Sequence, residues 1–255
     1  MREFSNQGVR LAFIDEPPAP GDRGEPILLI HGFASSHAVN WVFPQWVKTL
    51  TGAGRRVIAF DNRGHGRSEK LYDPADYSMQ KMAEDARALL DHLQIETADV
   101  MGYSMGARIA AFLAKAHGER LRSMILGGLG YHLVDRGALP LNIPEAMEAA
   151  SIEGLKDPMQ RMFRGFAEAT KSDLKALAAC VRGARQMMSE KEIGDITLPV
   201  LIAAGTKDEV AGDPHKLAAS FRAAQIVDIP GRDHNRAVGD KVYKESVLYF
   251  LEQRP

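Results

Sequence analysis

Short apolar runs alternate along almost the whole chain with longer stretches whose apolar side chains recur every three or four residues. The runs at 10–14, 27–30, 56–60, 98–102, 123–126, 200–204 and 226–229 have the length and composition of strands. Helical spacing appears at 37–50, 79–93, 105–117, 214–221 and 236–253. This alternation predicts an α/β fold with a mostly parallel central sheet covered by helices on both faces. The first two strand segments, joined by the proline-rich stretch at 16–21, are expected to form an antiparallel edge.

One connection is far longer than the rest. About 70 residues separate the strand ending near Gly127 from the one starting near Leu198, whereas a parallel crossover needs only about a dozen. Residues 131–170 show helical spacing interrupted at Pro140, Pro144, Gly154 and Pro158, with Met147, Leu155, Met159, Met162, Phe163 and Phe166 on the apolar faces. We expect a small helical cap at 131–170, inserted into a core made of 1–130 and 171–255. Residues 172–188 are expected to be the crossover helix that returns to the sheet. Most of the apolar cap residues need do no more than hold the cap to the body.

Composition narrows the function classes. The chain has 255 residues, 45% of them hydrophobic and 25% charged, as expected for one globular unit with a large core. A net charge of -1, with no basic cluster interleaved with aromatics, argues against a phosphate-driven nucleic-acid binder. The first residues lack the apolar core of a signal peptide and no run reaches the length of a membrane span, so a cytoplasmic protein is expected. The single cysteine, Cys180, has no disulfide partner within the chain and falls in a helical pattern, which makes it a packed thiol. A monomer and a dimer are equally compatible with this sequence.

The richest chemical signal is Gly102-Tyr103-Ser104-Met105-Gly106, set where an apolar strand pattern gives way to a helical one. A sharp strand-to-helix turn crowds the backbone on both sides, so glycines two residues before and two after Ser104 let strand and helix pass. Such a turn lifts the hydroxyl above the sheet at a helix amino terminus, a geometry suited to acyl transfer.

A serine hydroxyl needs a base, and the base needs an acid to orient it. Of the eight histidines, His234 lies in a loop between the last strand and the last helix, which opens on the same sheet edge as Ser104. His92 and His117 belong to helices, and His215, in the first turn of another, is a weaker rival. For the acid, Asp208 follows the strand at 200–204 directly. Asp213, before Pro214, fits a helix cap better. Asp233 is strained by its adjacency to His234, and Glu209 stays open as an alternative.

The loop His31-Gly32-Phe33 leaves a buried strand at the same edge, offering the Phe33 N–H as an oxyanion donor beside that of Met105. His31 itself is expected to shape this loop. The turn at 61–68 lacks the Lys-Ser/Thr of a phosphate loop and a second histidine at ligand spacing, so a structural role is expected.

Taken together, the elbow, the His31-Gly32-Phe33 loop, the Asp61-x-Arg63-Gly64-x-Gly66-x-Ser68 turn, Asp208 and His234 match in order and spacing the α/β-hydrolase fold superfamily. The chain resembles its serine-nucleophile, esterase-like branch over essentially its full length. Ala107 departs mildly, standing where many relatives carry another glycine. The resemblance implies Ser104 as nucleophile, His234 as base and then acid, Asp208 as orienter, and Phe33 and Met105 as backbone donors. It sets the chain apart from branches like the haloalkane dehalogenases and epoxide hydrolases, which use aspartate as nucleophile.

The expected activity is hydrolysis of carboxylic esters with small to medium acyl groups through an acyl-enzyme, without cofactor or metal. Phe33, Tyr103, Met105 and Trp41 are expected to line the substrate pocket. Arg108, more often a surface residue in such a position, resembles an arginine of menaquinone-pathway lyases of this fold and could hold a substrate carboxylate. A carbon–carbon hydrolase and a non-catalytic small-molecule receptor are the further alternatives.

Overall fold

The computed structural model describes residues 1–22, 24–135 and 139–254. Among them eight strands form one sheet: β1 (Arg2–Asn6), β2 (Val9–Glu16), β3 (Glu25–Ile30), β4 (Arg55–Phe60), β5 (Ala98–Tyr103), β6 (Leu121–Gly127), β7 (Val200–Gly205) and β8 (Ala224–Ile229). Their order is β1-β2-β4-β3-β5-β6-β7-β8. Pairing is parallel from β4 across to β8 and antiparallel for β1 with β2 and for β2 with β4.

The antiparallel edge therefore differs from the expected one. It is a β1–β2 hairpin, and the proline-rich segment carries the chain past β4 instead of pairing β2 with β3. Gln7 and Gly8 form the hairpin turn, both at positive φ (49° and 81°), as a tight two-residue loop matching strand twist requires.

Successive side chains on β3 point to opposite faces and enter different cores. Ile27 and Leu29 pack with Trp46, Leu50, Tyr243 and Val247, so one face is covered by α1 (Trp46–Gly52) and the chain's final helix. Leu28 and Ile30 join Leu89, Leu90, Ile109 and Leu113 from α2 (Met79–His92) and α3 (Met105–His117). Every residue of β5 and β7 is buried; β7 reads as an unbroken apolar run, whereas β5 is interrupted by Asp99, which accepts from Arg55 at 2.9 Å.

Between β6 and β7 lie α4 (His132–Asp135), α5 (Ile143–Glu148), α6 (Pro158–Ala169), α7 (Leu174–Gly183) and α8 (Glu190–Gly194). Residues 136–138 of the expected cap fall outside the described residues. Pro144 and Pro158 do not break helices here; they begin them, in the first turn where a missing N–H is harmless. Buried Arg164 on α6 donates to the carbonyls of Ala146 (2.7 Å) and Ala149 (2.9 Å), knotting α6 to α5. Thr170 donates to the Ala34 carbonyl at 2.9 Å, tying the end of α6 to the loop after β3. The expected helix at 172–188 is shorter than its pattern: α7 ends at Gly183, and α8 starts afresh from a Ser189–Glu192 capping box.

The remaining helices are α9 (Pro214–Ser220), α10 (His234–Ala237) and α11 (Lys241–Gln253). Two expected helices are interrupted. The 37–50 pattern resolves into a π-helical turn at Ala38–Val42 and α1, with Pro44 and a left-handed Gln45 (φ 66°) between them. The 236–253 pattern is split before Asp240, whose carboxylate caps α11 by accepting from the Val242 N–H at 2.8 Å. No helix among the described residues is long and apolar enough to cross a membrane.

Candidate active site

Ser104 occupies the single residue between β5 and α3 and holds φ 55° and ψ −115°, a conformation that costs a non-glycine residue about 1–3 kcal/mol. Its N–H donates to the Gly127 carbonyl at 2.8 Å, so the end of β6 fixes the turn. Both elbow glycines are required by contact. A Cβ on Gly102 would strike the Gly106 carbonyl, and one on Gly106 would strike the carbonyls of Ile30 and His31. The packing that demands Gly106 also presses the amino end of α3 against the loop after β3.

His234 reaches the serine from the loop after β8, as the first residue of α10. Its Nε2 lies 3.0 Å from Ser104 Oγ and its Nδ1 lies 2.7 Å from Asp208 Oδ2. Because a carboxylate accepts, Nδ1 carries the proton, and the Nε2 lone pair faces the serine hydroxyl, which donates to it. Asp208, its side chain 1% exposed, follows β7, and its other oxygen accepts from the N–H groups of Val210 (2.9 Å) and Ala211 (3.0 Å). Those donors leave Oδ2 for the imidazole.

The loops after β7 and β8 are laced together. Thr206 N–H donates to the Ile229 carbonyl and Lys207 N–H to that of Arg232, each at 3.0 Å, and Gly231 N–H donates to Thr206 Oγ1 at 2.8 Å. From below, the Tyr103 hydroxyl donates to the His234 carbonyl at 2.6 Å.

Asp233, Asp213 and His215, also weighed from the sequence, are engaged elsewhere. Asp233 caps α10, accepting from Asn235 (3.1 Å) and Arg236 (2.9 Å), while Asp213 caps α9, accepting from His215 (2.9 Å) and Lys216 (3.0 Å). Glu209 is exposed. The His215 ring pairs with Asp228 at 3.1 Å in an exposed position.

On the opposite side of the serine, Gly32 lies so close that a Cβ there would sit 3.4 Å from Ser104 Cβ. Its N–H is taken by Asn40 Oδ1 at 2.7 Å, a partner with no evident sequence signal. Phe33 is the next residue, and Met105, the first of α3, has an N–H with no acceptor inside its own helix. The buried His31 ring spans the loop: Nδ1 donates to the Gly32 carbonyl at 2.7 Å and Nε2 accepts from Asn62 N–H at 3.0 Å. Burial pushes its pKa down to about 4. The 61–68 turn is likewise structural, with Asp61 accepting from His37 and from Arg67 N–H, and Arg63 clasping Asp85 at 2.7 and 2.8 Å.

Two cavities meet at Ser104, sharing that residue and Phe33. One, about 50 Å³, is walled by Met105, Leu129, Cys180, Val181 and Ala184 among others. The second, about 190 Å³, holds Tyr103, His234 and Asn235 together with Met162, Phe163 and Phe166 from α6. Phe33 borders both cavities, Met105 the first and Tyr103 the second.

Trp41, also expected to line the pocket, borders neither cavity: it is fully buried on the other face of the sheet's edge, edge-on to Trp46 at 6.4 Å. The π-helical turn aims its indole into that core and away from both cavities. Arg108 also differs from its expected surface position. It is 4% exposed, borders the smaller cavity and donates to the carbonyls of His132 (2.6 Å) and Gln186 (3.2 Å), with burial lowering its pKa to about 10. Cys180 packs 3.8 Å from the Met105 sulfur, and burial raises its pKa to about 12, so the thiol is inert.

A sequence model of the α/β hydrolase fold matches residues 25–173. Among curated proteins, the dihydrolipoyllysine-residue acetyltransferase component of the acetoin cleaving system of Pseudomonas putida is 29% identical over 84% of this chain and 60% of its own length. Epoxide hydrolase B of Mycobacterium tuberculosis is 31% identical over 55% of this chain and 38% of its own. The chain thus spans less than two thirds of the length of either relative. Among solved structures, a hydrolase from Pseudomonas aeruginosa PA01 superimposes with a TM-score of 0.80 at 21% identity, covering 98% of this chain and 97% of that one.

Proposed function

The chain belongs to the α/β hydrolase fold family, and from that premise we propose that it is a serine hydrolase of carboxylic esters. The observation that carries this reading is His234 bridging Ser104 at 3.0 Å and Asp208 at 2.7 Å. In this reading Ser104 Oγ attacks the ester carbon while its proton passes to His234 Nε2. The N–H groups of Phe33 and Met105 hold the resulting oxyanion.

The tetrahedral centre then expels the alkoxide, which takes the proton from Nε2, leaving an acyl-serine. Water repeats the sequence in reverse: its proton goes to His234, its oxygen to the acyl carbon, and the proton returns to Ser104 as the acid departs. Asp208 offsets the imidazolium charge throughout. We read residues 131–170 as the cap over this centre. Serine, where epoxide-opening relatives of this fold use aspartate, favours acyl chemistry over epoxide opening.

An ester panel graded by acyl length tests the proposal directly. Multiple turnover by wild-type protein that vanishes in Ser104→Ala supports it. Absence of turnover, with ligand-dependent association with another protein, would favour the receptor alternative. One observation favours a lyase or carbon–carbon hydrolase acting on a carboxylate: Arg108 sits in the wall of the smaller cavity. Preference for acid-bearing substrates, lost in Arg108→Met, would support that second reading.

A further inference from the structure

The two cavities at Ser104 differ in size and in their relation to the imidazole. His234 and Asn235 border the larger one, of about 190 Å³. The smaller, of about 50 Å³, is bordered by Met105, Leu129, Cys180, Val181 and Ala184 and does not include His234. Acyl transfer fixes what each direction from the attacked carbon must hold. The oxyanion turns toward the Phe33 and Met105 N–H groups. The leaving oxygen must come within about 3 Å of the nitrogen that protonates it, so it turns toward His234 and the larger cavity. The acyl chain takes the direction that remains.

Resting on the hydrolase reading above, we propose that the smaller cavity receives the acyl chain and the larger one the alcohol, so that the substrates are short-acyl esters of bulky, mainly apolar alcohols. The smaller space favours a short acyl chain over a long one. Its size is held by packed walls. Val181 and Cys180 are buried on α7, with the Cys180 sulfur against that of Met105. The larger cavity is aromatic, with Phe33 and Phe163 edge-to-face at 6.0 Å, and suits a ring-bearing alcohol.

Two ester series on the full chain test the division. With 4-nitrophenol as the constant leaving group, kcat/KM should be highest for acetate to butyrate and fall about tenfold or more by octanoate. With butyrate as the constant acyl group, it should rise from methyl to 2-naphthylmethyl alcohol, both primary alcohols, so that bulk and not leaving-group acidity is what changes. Val181→Ala should move the acyl optimum toward hexanoate without reordering the alcohols, and Phe163→Ala should alter the alcohol order without moving the acyl optimum.

A preference for octanoate together with small alcohols overturns the division while leaving the hydrolase reading intact, as does a Val181→Ala effect confined to the alcohols. No turnover in either series overturns the hydrolase reading and the division with it. The wild-type series decide the question even if a variant fails to fold.

Discussion

The Tyr103 hydroxyl donates to the backbone carbonyl of His234 across 2.6 Å, joining the residue before the elbow serine to the loop that carries the imidazole. Its ring lies 5.5 Å from that of His234, centroid to centroid, so one side chain both supports the ring and fixes its backbone. Tyr103→Phe keeps the ring and removes the donor. Leaving the carbonyl unpaired should lower stability by about 1–3 kcal/mol, and a looser imidazole should lower kcat about tenfold with KM little changed. Steady-state kinetics well below the unfolding temperature separate the two effects. Reduced stability with full kcat would make Tyr103 a packing residue only.

Ser104→Ala should reduce ester turnover by about three orders of magnitude or more. The side chain is small and half-buried, and alanine inherits the same backbone strain, so the thermal midpoint should stay close to that of wild type. Near wild-type rates in purified variant protein would remove Ser104 from the chemistry.

Among Asp208→Asn, Glu209→Gln and Asp213→Asn, the first alone should cost orders of magnitude in kcat, about 10²–10⁴-fold. An amide at 208 can offer its NH₂ to Nδ1 and select the wrong tautomer, and it cannot offset the imidazolium charge. Asparagine at 213 still caps α9, and Glu209 is exposed. Comparing the three kcat values at one pH is sufficient, and a crippled Glu209→Gln beside a normal Asp208→Asn would reassign the acid.

Acid should destabilise the fold before most carboxylates titrate. Burial holds the pKa of His31 at about 4 and that of His65 at about 3, both below the ordinary 6.5. The unfolded chain therefore binds more protons as pH falls from 6.5. Stability is complete above that value and declines toward the two folded-state values, by about 2 kcal/mol for each ring at about pH 5. Asp61, lowered to about 2 from 3.8, contributes stability that is lost only below that ordinary value, so it does not mask the trend. Urea midpoints at about pH 7 and pH 5 measure the loss, which should shrink in His65→Gln. Equal midpoints would count against both buried rings.

The parts legible in the sequence share a physical cause. Gly102 and Gly106 are visible because sterics leave no other residue at those points, and Asp208 and His234 because parallel strands deliver their following loops to one edge. β1 escaped notice because only Phe4 of its five residues is buried, so an edge strand carries no alternating signal. The helix breaks at Pro44 and before Asp240 interrupt apolar spacing that continues on either side. Trp41 and Arg108 both depart from their expected environments because each depends on which packed surface lies opposite, and local spacing carries no record of that surface.

The strand order also sets a schedule for the chain. Ser104 and His234 are 130 residues apart and meet only because β5, β6, β7 and β8 lie side by side. Parallel pairing must close long loops before any contact rewards it, which makes such assembly slow. β8 is the outermost strand of the sheet on its side and leads into the loop that carries His234, the base of the proposed mechanism. A refolding molecule that has formed every element through β7 thus holds its serine and its carboxylate and is still silent. The return of turnover would time the docking of that last strand, and no earlier event.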